Sequence, residues 1–141
     1  MLAEIVARLQ AQAPSLVAIE GAAAYAVLKT APPLHRLPSA FVVPLAEEAG
    51  ENRLATGIAQ RVVAGYGVVL IVPGDRADRV GAAPSIELET LRRETHAALL
   101  GWQPSAATEP FLFVGGELLR FQGDALWWQD SFSTAYALRL T

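Results

Sequence analysis

From residue 125 to residue 140 the chain alternates between two kinds of position. Leu126, Trp128, Asp130, Phe132, Thr134, Tyr136, Leu138 and Leu140 fall on one side of the alternation. Ala125, Trp127, Gln129, Ser131, Ser133, Ala135, Ala137 and Arg139 fall on the other. A period of two is that of a β-strand with one face on a core. At about 3.3 Å per residue such a strand spans roughly 50 Å, well beyond the usual length. It must outrun its own domain, bend at a bulge, or pair with something outside it.

The rest of the chain switches between this period and the helical one. Leu2, Ile5, Val6, Leu9 and Ala13 form an apolar stripe at three- and four-residue steps, which predicts a helix over 2–12 ended by Pro14. Residues 16–19 predict a short strand and 20–28 a short helix, broken at Pro32-Pro33 and followed by a loop through His35 and Arg36. Phe41-Val42-Val43 predicts a strand closed by Pro44 and by a polar loop, 46–57. Ile58–Val72 predicts a second strand, half-solvated at first and then apolar on both sides, with Gly65-Tyr66-Gly67 at the change. The two make a loose hairpin. After a charged loop at 73–83, Leu88, Leu91, Thr95, Ala98 and Trp102 mark the apolar face of the strongest helix, opened by Pro84-Ser85 and stopped at Gly101 and Pro104. Arg92, His96 and four glutamate or arginine neighbours take its other face. Residues 111–121 read as two short strands about a Gly115-Gly116 turn, and Gly123-Asp124 turns the chain into the last strand.

Taken in order, these elements predict an α+β fold: a mostly antiparallel sheet with long strands and helices packed on one face, in a single domain over 1–141. Apolar residues make up 52% of the chain, enough for a closed core, although much of that share is alanine and the large core residues are few. Eleven basic against fourteen acidic side chains, with no block of one sign, give no support for electrostatic binding of nucleic acid. The absence of cysteine removes disulfides and thiolate metal sites. The N-terminus lacks the order of regions of a signal peptide, and no apolar run approaches the ~20 residues that span a bilayer.

Catalytic chemistry is hard to find. His35 and His96 are the only histidines, and neither has a second ligand at metal spacing; His96 reads as a solvated residue on a polar helix face and His35 as a loop residue. No nucleophile elbow, P-loop or dinucleotide fingerprint is present. Asp130 interrupts the apolar face of the last strand. A buried acid there needs a partner or a raised pKa, and with no convergent second group in view a structural or interface role is favoured over catalysis. The reading is therefore of a non-enzyme with no cofactor and no metal site. Trp127 and Trp128 are adjacent and so point to opposite faces. With Trp128, Phe132, Tyr136 and Leu138 inward, Trp127 and Gln129 lie on the side of small and polar residues, where a tryptophan is either covered by a local helix or available to a partner. Glu48 and Arg53 in the loop 46–57, and Asp75, Arg76 and Arg79 in the loop 73–83, are solvated tips or contact residues.

The segments Pro38–Leu45, Val68–Val72, Ala98-Leu99-Leu100-Gly101-Trp102-Gln103-Pro104, Gly115-Gly116 and Leu126–Phe132, in this order and spacing, resemble the tail terminator proteins of tailed bacteriophages and prophages over nearly the whole chain. The resemblance implies a structural virion protein, assembled in the host cytoplasm, that forms a six-membered ring on the head-proximal end of the tail tube. Such a ring ends tube growth and presents a docking surface to head-completion proteins. The resemblance implies a sheet lining the ring with helices outside it, and DNA passing through the lumen without sequence-specific binding. The partners it implies are further copies of the chain, the tail tube protein and a connector protein. Glu48, Arg53, Asp75, Arg76, Arg79, Trp127 and Gln129 are then the candidate subunit or tube contacts. A head-to-tail joining protein of similar size remains the neighbouring alternative, and a small-ligand-binding or enzymatic α+β domain the more distant one.

Overall fold

The computed structural model describes residues 1–74, 82–122 and 125–140. The elements are α1 (Leu2–Gln12), β1 (Ala18–Gly21), α2 (Ala22–Ala26), a single 3-10 turn (Leu34–Arg36), β2 (Ser39–Ala49), β3 (Ile58–Pro73), α3 (Ala82–Leu99), β4 (Glu109–Gln122) and β5 (Ala125–Leu140). The strands form one five-stranded sheet in the order β1-β2-β3-β5-β4. Only the short β1 runs parallel to its neighbour; β2, β3, β5 and β4 alternate in direction. The α+β, mostly antiparallel architecture expected from the sequence is the one observed.

β3 and β5 are the spine. They pair without a register shift from Ile58↔Leu140 to Pro73↔Ala125, and the alternation of side chains across this ladder divides the core in two. Val68, Leu70 and Val72 on β3 join Leu126 and Phe132 on β5 beneath Ile5 and Leu9 of α1 and Leu88, Leu91 and Leu99 of α3. Val69 and Ile71 turn the other way, to meet Phe41, Trp127 and the half-buried Tyr25 and Leu28 in and just after α2. The expectation of helices on one face is thus corrected. The strictly apolar half of β3 is buried on both sides, and α2 supplies the second cover.

The two large helices are tied to each other by polar contacts at their ends. Arg8 Nε donates to the Ala98 carbonyl at 2.8 Å, satisfying one of the carbonyls that the last turn of α3 leaves open, and stacks over Trp102. Glu94 accepts from the Ser15 amide at 3.0 Å, and Glu4 from the Ser105 amide at 2.9 Å. The Ser105 hydroxyl also donates to Glu4, at 2.6 Å, and this bond first and the amide bond second hold the Glu4 carboxyl below its ordinary pKa. Gly101, with φ +81°, ends the α3 region in the left-handed conformation that favours glycine.

Two further expectations change. β2 does not close at Pro44 but continues to Ala49, with a register shift between Pro44 and Ala46. β1 pairs only as far as Val42, so from there β2 is an edge strand, where a proline is tolerated. Residues 109–122 form one strand rather than a Gly-Gly hairpin. Neither Gly115 nor Gly116 has positive φ. Gly116 is needed for close approach instead: a Cβ there would fall 2.5 Å from Asp130 Oδ1 and 2.8 Å from Trp128 Cζ2.

Candidate interaction surfaces

Asp130 is fully buried and is the hub of the α3 face. Its carboxylate accepts from Arg92 Nε at 3.2 and 3.0 Å, from Trp128 Nε1 at 2.8 Å, and lies 2.9 Å from His96 Nε2. An ionised carboxylate only accepts, so the ring carries its proton on Nε2. Arg92 and His96 sit one turn apart on α3 at i, i+4, and both reach over β5. The Arg92 guanidinium also lies over the Trp128 ring at 4.8 Å, and His96 packs 4.7 Å from the Phe113 ring. His96 is therefore not a solvated residue. The helical spacing that placed it on the polar face also placed it at the border of the apolar stripe, within reach of the sheet. The cluster locks α3 to β5 and β4. Its four side chains satisfy one another, and the described residues contain no group of three or more His, Cys, Asp or Glu able to hold a metal ion.

Trp127, one of the candidate contacts, is only 2% exposed. It packs 6.4 Å from the Tyr25 ring on one side, with the Arg120 guanidinium over it at 4.0 Å on the other. Of the two fates open to a tryptophan on this face, cover by a local helix is the one realised. Gln129 lies over Gly67, whose missing side chain makes room for it, and donates to Ser131 Oγ at 3.3 Å. It is half-buried. Farther along β5 the expected inward residues thin out. Tyr136 is half-buried and Leu138 exposed, because α1 and α3 cover only the other half of the sheet.

That uncovered half is an arm built from the outer ends of β2, β3 and β5. Glu48, expected in a loop, is on β2 and pairs with Val63; Arg53 is in the loop that follows. They line one cleft of about 530 Å³ together with Glu51, Asn52 and Arg61. Arg53 also lines a second groove of about 310 Å³ with Arg61, Arg139, Glu109 and Tyr136. In it Arg61 Nη2 donates to Glu109 Oε1 at 2.8 Å, a bond that raises the guanidinium pKa and lowers that of the carboxyl. The Tyr136 hydroxyl donates to Glu47 Oε2 at 2.9 Å, and this bond, with some desolvation, raises its pKa; Tyr66 is raised by burial first and by Glu47 second. Asp75, Arg76 and Arg79 lie outside the described residues.

The surface that sequence reading missed is β4. As the last strand in the sheet it has one edge paired with β5 and an outer edge that is bridged to residues 100–102 at Phe111 and open beyond it, yet Leu112, Phe113, Val114, Leu118, Leu119 and Phe121 on it are all exposed, Leu112 and Val114 by 64% each. Edge strands are ordinarily blunted by charge, proline or a helix lying over them. Here consecutive apolar side chains stand on both faces of an open edge, which is the signature of a surface that another chain covers. The signal is the apolar run Phe111–Val114, which the sequence pattern makes the first strand of a hairpin about Gly115-Gly116.

A family model for phage tail terminator protein matches residues 2–141, the whole of the chain but its first residue. No curated relative matches the sequence. Among solved structures, a chain from the virion of a native gene transfer agent particle shares the fold, with a TM-score of 0.54 at 17% identity, over 96% of this chain and 90% of that one.

Proposed function

The chain belongs to the phage tail terminator family, and from that membership we propose that it is a structural virion protein which forms a ring, six-membered as the resemblance implies, on the head-proximal end of the tail tube. There it stops tube growth and offers the opposite surface to head-completion proteins. The observation that carries this reading is the open β4 edge with its exposed apolar residues. A monomer gains nothing from it, whereas an assembly covers such an edge, and a ring closes through head-to-tail contacts after a fixed rotation. The disposition of α1 and α3 on one face of the sheet supports a ring with these helices outward and the Trp127 face, bare along the arm, towards the lumen.

Contacts with neighbouring subunits and with the tube fall to the polar segments around the sheet: Glu48, Arg53 and Gln129 among the described residues, and Asp75, Arg76 and Arg79. Trp127 leaves this set, since it is core. Charge reversal at Arg76 and Arg79 together weakens assembly onto tubes without unfolding the subunit. Electron microscopy of assembled tails, with the subunit labelled, tests the reading as a whole. Density at the head-proximal end of the tube is expected, and a position anywhere else overturns it.

A further inference from the structure

The arm has two open strand edges, one carrying an unengaged glutamate and the other an unengaged arginine. On one side β2 is unpaired beyond Val42, and this stretch carries Glu47 and Glu48, with Glu51 just after it. On the other side β4 begins at Glu109↔Ala135, so β5 is unpaired from Tyr136 to Leu140. The groove at that edge is lined by Arg139, and by Arg53 and Arg61, which also line the cleft beside Glu48. Arg61 is engaged by Glu109, while Arg139, Arg53 and Glu48 have no ion-pair partner among the described residues.

We propose, building on the ring reading, that neighbouring subunits join by laying the acidic β2 edge of one copy along the arginine-lined β5 edge of the next, with Glu48 of one against Arg139 of the other. Three features of the sheet fit this occupant. β2 and β5 are both antiparallel to β3 and therefore run the same way. A rotation about an axis along the strands preserves that direction, so the new pair is a parallel extension of the sheet. Glu48 pairs with Val63 and Arg139 with Ala59, residues an even number apart on β3, so the two side chains emerge on the same face. Tyr136 is level with Ala49 through Val62, so the β5 edge begins where the β2 edge ends. The neighbour must then be displaced along the strand, and the strand tilt of a closed sheet supplies such a stagger. Leu45 on the first edge and Leu138 and Leu140 on the second, all exposed, add apolar area to the charge match.

The test uses two charge-reversed chains, Glu48→Lys and Arg139→Glu. Each one alone sets like charge against like charge at every junction, and ring formation is expected to fall at least about tenfold relative to the natural chain. An equimolar mixture restores opposite charges at every junction of an alternating ring and is expected to recover it. Rings are scored by native mass spectrometry of the free chains and by negative-stain microscopy of tail tubes incubated with them. Variants that each assemble as well as the natural chain, or a mixture no better than its components, overturn the pairing alone. A natural chain that forms no ring in either setting overturns the ring reading, and the pairing with it.

Discussion

Gly116 stands directly over the carboxylate of Asp130. The two are paired across β4 and β5, and the backbone of the glycine passes so close that a Cβ would fall 2.5 Å from Oδ1. Nothing lies within 4 Å of the equivalent position on Gly115. Adjacent glycines therefore carry different demands. Gly116→Ala is expected to destabilise the fold by about 1–3 kcal/mol through overpacking, and Gly115→Ala to stay within about 0.5 kcal/mol. Urea denaturation of the two variants checks this, and equal effects contradict it.

Asp130→Ala removes the acceptor shared by Arg92, His96 and Trp128. A lost buried partner typically costs about 3–5 kcal/mol, and because Arg92 and His96 retain some exposure the lower end, about 3 kcal/mol, is expected here. Double-mutant cycles between Asp130 and Arg92 will show coupling, whereas Asp130 and Arg8, on separate contacts, will behave additively.

Trp127→Ala is expected to melt the subunit and not merely to disperse an assembly. Truncating a buried tryptophan costs about 3–5 kcal/mol, and this one is packed between Tyr25 and Arg120. The measurement is the thermal midpoint of the variant at a concentration where the natural chain is monomeric. An unchanged midpoint there returns Trp127 to the surface.

Val114→Lys places a charge on the open edge of β4. Since Val114 is exposed, stability is expected to change by no more than about 0.5 kcal/mol, while tail capping is lost. Normal capping by this variant removes the β4 edge from the assembly.

Tyr66 and Tyr136 have raised pKa values, the first through burial and Glu47, the second through its hydrogen bond to Glu47. A phenol whose folded-state pKa exceeds its unfolded value of about 10 contributes stability that is complete below that pH and is lost as pH rises through the folded value. Ultraviolet difference absorbance should show Tyr66 and Tyr136 titrating above the ordinary range, and Glu47→Gln should move both back down. Ordinary titration in the natural chain contradicts the geometry.

How much of this was written in the sequence depends on which contacts decide an element. α1 and α3 are amphipathic on their own account, so the spacing of Leu2, Ile5 and Leu9, and of Leu88, Leu91 and Thr95, located them. The period of two in residues 125–140 located β5 to the residue. What spacing does not contain is a long-range partner. Gly115-Gly116 looks like a turn until Asp130 is known to lie under it, Pro44 looks like a stop until β2 is known to be at an edge, and Trp127 looks exposed until α2 folds over it. Asp130 was conspicuous from the start as an acid among apolar neighbours, but its partners, Arg92 and His96, come from a helix more than thirty residues upstream. The candidate surfaces were half legible for the same reason. Charges in a loop can be seen in a string of letters, whereas the open edge of β4 exists only in the strand order.

The unbroken ladder between β3 and β5 has a mechanical consequence. Its hydrogen bonds lie across the strands, so a pull along the strand direction loads all of them together in shear, whereas a pull across the sheet opens them one after another. A subunit whose longest ladder runs from the helix-covered core to the tip of the arm therefore resists tension along its strands better than tension across them.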